Sequence, residues 1–243
     1  MNSPTAVSAL IEDVAELGPF FAVQVHPPGT EPSGPWQQMS RPLLEERVSG
    51  VQEWLATAGG QPPGAVERRV AASVCHQGLA ARLVSPALAA AVLHGLVLAP
   101  GLADSRWQLV IGGPVPLSLP EGAFAGGSTA SPIQLAGELS RRLLDGPLRE
   151  LADAMEAFSV SRHILWGNTA SAVNGAATMI TAARPDLTAR TRTIISRLLD
   201  QPPLGDATET TPDGAFRRRS CCLIYRAAPG GRGALCGDCA LKR

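Results

Sequence analysis

The chain has 243 residues, 45% hydrophobic and 17% charged, a globular composition long enough to bury one large core or two small ones. Aromatic residues make up only 4% while Ala, Leu and Gly abound, which favours close-packed helices over a β-sandwich. The formal net charge is zero and argues against a nucleic-acid partner, yet residues 216–243 place Arg217, Arg218, Arg219, Arg226, Arg232, Lys242 and Arg243 against Asp238 alone, a local charge of +6.

In chain order, residues 3–17 predict an amphipathic helix with Val7, Leu10, Ile11, Val14 and Leu17 on one face, ended by Gly18-Pro19. Glu12, Asp13 and Glu16 lie where a signal peptide would be apolar and no basic leader precedes them, so the expectation is a cytoplasmic protein with reduced thiols. Phe20–Val25 reads as a short β run followed by a Pro/Gly/Ser loop to Pro35. Ser40-Arg41-Pro42 then opens a second helix that stops at Gly59-Gly60. Two more helices are expected at 65–83 and 86–95, separated at Ser85-Pro86. Leu83–Ala103 carries no charge, but Pro86, His94, Gly95 and Pro100 interrupt it, and it reads as a buried helix rather than a membrane span.

Residues 106–120 suggest two short strands about Gly112-Gly113-Pro114, the second an edge strand at best because of its prolines. Residues 121–131 form a Gly/Ser/Thr loop, and Gly126-Gly127-Ser128-Thr129 within it lacks the lysine of a phosphate-binding loop. Helices follow at Pro132–Leu144 and Pro147–Phe158, broken at Asp145-Gly146. Ser161–Ala183 is the best-patterned helix, with Trp166, Ala170, Val173, Ala177 and Ile180 along one face. Its small residues Ala172, Gly175 and Ala176 permit close approach by a neighbour, which makes it central. A last helix runs from Asp186 to Leu199, and Gln201–Gly214 reads as a linker. The expected class is α+β: a mainly helical body with a small β-sheet, residues 1–215, and a C-terminal cysteine-rich segment, residues 216–243.

Four of the five cysteines, Cys221, Cys222, Cys236 and Cys239, lie in that last segment. Thiolates are soft donors that select zinc or iron–sulfur centres, and reduced thiols in a cytoplasmic setting favour a metal site over disulfides. The Cys236-x-x-Cys239 half suits either metal. The adjacent pair Cys221-Cys222 discriminates, because neighbouring side chains converge with difficulty on one tetrahedral ion, whereas a two-iron cluster can be approached from more directions. The spacing therefore favours a [2Fe-2S] cluster over zinc.

The run Arg219-Ser220-Cys221-Cys222-Leu223-x-Tyr225, then Pro229-Gly230 and Cys236-Gly237-Asp238-Cys239, resembles the end of the FhuF-type ferric siderophore reductases. Leu165-Trp166-Gly167-Asn168-x-Ala170-Ser171 is similar to a Trp-Gly-Asn element of the same family. The gap of thirteen residues between the cysteine pairs is longer than in that family's type member, a departure that the extra Gly and Ala residues of the loop could absorb. The resemblance implies a [2Fe-2S] cluster held by Cys221, Cys222, Cys236 and Cys239, one-electron reduction of a ferric siderophore to release Fe(II), and Trp166, Asn168, Arg219 and Tyr225 as candidates for substrate or cluster contact.

The chain has no dinucleotide fingerprint, so electrons are expected from a reduced ferredoxin-like carrier that the basic segment would dock. The run Arg217-Arg218-Arg219 serves equally well as a solvated face. Cys75, beside His76, reads as a core thiol, and Asp238 as a turn former. Two other functions stay open at this level: a zinc-stabilised binding module without redox activity, and a [2Fe-2S] protein that senses iron or redox state.

Overall fold

The computed structural model describes residues 4–98, 100–124 and 131–242. The phosphate-loop lookalike at Gly126–Thr129 lies outside them. Helix α1 (Pro4–Ala15) leads into strand β1 (Gln24–His26) and strand β2 (Gln37–Gln38). Helix α2 (Arg41–Ala58) starts as its sequence dictates: Ser40 is the N-cap, its hydroxyl accepting the Leu43 N–H at 3.4 Å, with proline in the first turn. It packs on helix α3 (Arg68–His94), which is buried along most of its length and forms the axis of the molecule.

The break expected at Ser85-Pro86 does not occur, and α3 is one continuous helix with Pro86 inside it. Proline there removes one backbone hydrogen bond and crowds the preceding turn, at about 3 kcal/mol. Burial of the flanking Leu83, Val84, Ala87 and Leu88 on several sides of the helix offsets that penalty. Gly95, with φ of 68°, caps the end in the left-handed conformation. No helix among the described residues is long and apolar enough to cross a membrane.

Strands β3 (Arg106–Trp107) and β4 (Leu117–Pro120) complete a four-stranded mixed sheet of order β1-β4-β3-β2. The expectation of β4 as an edge strand is corrected: it lies inside the sheet, parallel to β1 and antiparallel to β3. Its prolines fall just before the strand and at its last residue, where a missing N–H does not interrupt the ladder. Buried Arg82 on α3 fastens the loops leading into β1 and β4, donating to the carbonyls of Val115 (2.6 Å), Ala22 (2.6 Å), Pro19 (3.2 Å) and Phe20.

Helix α4 (Pro132–Leu139) opens with a capping box between Ser131 and Gln134 and runs through a π-helical stretch (Ser140–Leu148) into α5 (Arg149–Glu156). The expected break falls where the sequence put it, at Gly146, whose φ and ψ of −101° and −116° are non-helical. Helix α6 (Arg162–Ala183) is central, as its small residues imply, and packs along α3. Helix α7 (Thr188–Leu199) follows.

The stretch read as a linker contains β5 (Thr208–Thr210), which pairs antiparallel with β6 (Phe216–Arg218). This hairpin carries the chain from the helical body into the cysteine-rich segment.

His76 on α3 is fully buried, and neither ring nitrogen has a hydrogen-bond partner among the described residues. Burial alone pushes its pKa down to about 3, from 6.5 when exposed. The folded state therefore excludes a proton that the unfolded chain binds, so stability is intact above about pH 6.5 and falls as the pH drops toward 3. Replacing His76 by Leu should shrink the stability difference between pH 7.5 and pH 5 by about 2 kcal/mol, read by denaturant titration at both pH values.

Candidate metal centre

Four thiols converge after strand β6. The Sγ atoms of Cys222 and Cys236 lie 3.6 Å apart, and Cys221 has Cys239 as a neighbouring thiol. No three or more His, Cys, Asp or Glu side chains gather at one ion position among the described residues. The thiols stand as two pairs. A single tetrahedral ion draws four thiolates to one point, whereas a two-iron cluster takes two on each iron, so the paired arrangement fits the binuclear group. Each pair has one buried member, Cys222 or Cys239, and one half-buried member, Cys236 or Cys221. The half-buried sulfurs mark the edge that meets solvent.

Local backbone aims donors at the sulfurs. Leu223 adopts a left-handed conformation, φ 69°, uncommon for a residue with a side chain, and its N–H points to Cys221 Sγ at 3.3 Å. The Leu241 N–H donates to Cys239 Sγ at 3.4 Å. Burial raises the pKa of Cys221, opposed by the Leu223 N–H and reinforced by the neighbouring thiols. Burial likewise pushes Cys236 up to about 12 against the opposing field of Arg218. Burial thus favours the protonated form of Cys221 and Cys236, and binding a metal group there releases protons.

The thirteen residues between the pairs fold into two short helical turns, Ile224–Ala227 and Pro229–Gly231. Gly230 and Gly231 have positive φ, and Gly233 lies so close to the Tyr225 backbone that a Cβ would overlap the Tyr225 carbonyl. The Gly233 N–H closes the loop on that carbonyl at 2.8 Å. The longer gap is thus taken up in a closed loop, which Arg226 ties to Glu67 and Gln61 ties at the Ala227 carbonyl.

The Trp-Gly-Asn step on α6 meets the segment residue by residue. Gly167 faces Ser220: a Cβ at this position would sit inside contact distance of the Ser220 hydroxyl, which donates to the His163 carbonyl at 3.0 Å. Asn168 is fully buried and donates to the carbonyl and hydroxyl of Ser73 at 3.0 and 3.1 Å, while the Ser73 hydroxyl donates to the Cys222 carbonyl at 2.8 Å. Trp166 packs in the core with the Arg149 guanidinium 5.7 Å from its ring. Tyr225 is half-buried in the inter-pair loop, and Arg219 is exposed, with its N–H on the Ala207 carbonyl at 2.9 Å.

Sequence reasoning missed Arg218 and Ser73. Arg218 is fully buried; it donates to Asn168 Oδ1 at 2.9 Å and to Cys236 Sγ at 2.7 Å, and its Nε lies 3.3 Å from Asp238. Asp238, expected only to shape the turn, is also its counter-charge. A period of two across Arg217-Arg218-Arg219 was the available signal, since on a strand the middle residue faces away from its neighbours.

The fold and site define a mainly helical α+β protein ending in a thiol-based redox-metal segment. Residues 218–241 match the family model described as FhuF 2Fe-2S C-terminal domain, 24 of the 243 residues. No curated protein matches the chain. The terminal segment is thus similar to the cluster-binding end of the FhuF-type family, and the cofactor of this protein is a [2Fe-2S] cluster.

Gly167→Ala should lower cluster retention, measured as iron per protein after desalting, because its Cβ overlaps the Ser220 hydroxyl and pushes the cysteine-rich segment off α6. Adding Ser220→Ala should restore most of the loss, since the Ser220 Cβ stands 3.7 Å from the new methyl position, an ordinary contact.

Proposed function

We propose that this protein is a cytoplasmic ferric siderophore reductase, in which Cys221, Cys222, Cys236 and Cys239 hold the cluster, residues 216–243 form the redox segment and the helical body offers the chelate-binding surface. The observation that carries the reading is the match of residues 218–241 to an iron–sulfur domain on a segment whose two thiol pairs each reach the surface through a half-buried sulfur. A bound [2Fe-2S] cluster supplies one-electron transfer.

In this reading the residues present have separate tasks. The Leu223 and Leu241 amides and the Arg218 guanidinium donate to sulfur and favour the more negative, reduced state. Cys222 and Cys239 stay dry, while Cys221 and Cys236 open toward a partner. One electron from a carrier converts Fe(III) in the chelate to Fe(II), and the hard oxygen ligands of a siderophore hold Fe(II) far less tightly, so the metal leaves. The carrier is oxidised by one electron for each Fe(II) formed.

The carrier surface follows from charge. Among the described residues, Arg217 is paired with Glu209, Arg226 with Glu67 and Arg218 with Asp238, which leaves Arg219, Arg232 and Lys242 exposed in the same segment as exposed Leu235 and Leu241. That combination of cations and apolar side chains suits an acidic ferredoxin.

Protein reduced chemically under anaerobic conditions should be reoxidised by a ferric siderophore, with one Fe(II) trapped by a ferrous chelator per electron lost. A cluster that stays reduced in the presence of every ferric hydroxamate and catecholate offered would refute the reductase reading. Changing Arg219, Arg232 and Lys242 together to Glu should slow electron entry from reduced ferredoxin by roughly tenfold or more at low salt, with a smaller effect at high salt and none on reduction by dithionite.

A further inference from the structure

Among the described residues of the basic segment, Arg218 is the one arginine that solvent does not reach. A charged guanidinium without water must find its partners inside the protein, and here they come from α6 and from the Cys236–Cys239 turn. Nη2 reaches Cys236 Sγ at 2.7 Å, Nη1 reaches Asn168 Oδ1 at 2.9 Å and Nε stands 3.3 Å from the Asp238 carboxylate. Backbone contacts lock the arginine in place: its own N–H donates to the Asp238 carbonyl at 3.1 Å, and β6 pairs it with Thr208. Asn168 cannot turn away, because its amide nitrogen is committed to Ser73.

The fork, held by Asn168 of the helical body, is therefore aimed at the Cys222–Cys236 pair, with Cys236 Sγ as its hydrogen-bond acceptor. A hydrogen bond to a cluster thiolate, from a cation in a dry site, stabilises the state with more negative charge. Reduction adds one negative charge to a four-thiolate cluster, so the contact strengthens in the reduced form. Asp238 compensates part of the arginine's field without competing for the sulfur.

We propose that Arg218 is a positioning residue that raises the reduction potential of the cluster through Cys236, and that Asn168 on α6 holds it in the orientation this requires. The inference rests on the cluster and not on the reductase reading, and it makes the Cys222–Cys236 pair the one that the body tunes. The Trp-Gly-Asn step thereby acquires a redox role in addition to its part in docking the segment.

The test is an equilibrium redox titration of the iron-loaded full chain, followed by visible absorption, with iron content measured alongside. Arg218→Met should lower the ratio of reduced to oxidised cluster at a fixed ambient potential by at least tenfold, a drop of about 59 mV for a one-electron couple. Arg218→Lys, which keeps the charge and loses the fork, should recover part of that drop. Asn168→Ala should shift the ratio about threefold in the same direction. A wild-type potential in iron-replete Arg218→Met overturns the proposal. If Arg218→Met fails to hold iron, a wild-type potential in both Arg218→Lys and Asn168→Ala overturns it, and loss of iron from all three variants overturns it in favour of a purely structural tether. Failure of ferric siderophores to reoxidise the native protein, with these shifts present, would sink the reductase reading alone.

Discussion

A fully buried arginine without an aqueous shell constrains where everything around it can be. The Arg218 guanidinium donates to an amide oxygen from α6 and to the Cys236 sulfur, and it has a carboxylate from the turn between Cys236 and Cys239 as its counter-charge. Removing any partner leaves charge or polarity stranded at low dielectric, a penalty of about 1–3 kcal/mol for a neutral group and more for an ion. The cysteine-rich segment is therefore seated on the body by a polar network that tolerates little rearrangement, and the metal chemistry is built on top of it.

Three consecutive residues of α6 carry that seating because a helix turns about 100° per residue. Trp166 faces the core, Gly167 clears room for Ser220, and Asn168 meets Arg218 and Ser73. Helix α3 adds the other half: the Ser73 hydroxyl accepts from Asn168 and donates to the Cys222 carbonyl, so one side chain touches both the positioning network and a cysteine of the site. A chain of this kind polarises along its length and is strongest when every member is present. The unbroken α3, with Pro86 kept inside it, is what holds Ser73 and the anchoring Arg82 on one rigid axis.

Much of the helical body could be read from periodicity, since an amphipathic face records its own burial: α1, α2, α6 and α7 begin and end near their sequence signals, and the Gly146 kink follows from its glycine. The departures share a cause. Pro86 signals a break locally, yet packing on several sides outweighs one lost hydrogen bond. Strand β4 looked like an edge because prolines flank it, but which strand lies inside a sheet depends on β1, more than ninety residues away. The β5–β6 hairpin hid in a stretch rich in Pro, Gly, Thr and charge, where pairing and not hydrophobic alternation makes the strands. Arg218 hid for the same reason, as the middle of a run that looks solvated until the strand turns it inward.

The sequence alone determined the chemistry on offer: four thiols in a short segment, the spacing that favours a binuclear cluster, and a Trp-Gly-Asn step resembling the same family. Those are properties of residue type and local spacing. Tertiary structure decided which thiols pair, which sulfurs stay dry, and which of three adjacent arginines faces the metal site. Burial and hydrogen-bond direction are set by elements distant in sequence, and no local pattern of one segment encodes what another will place beside it.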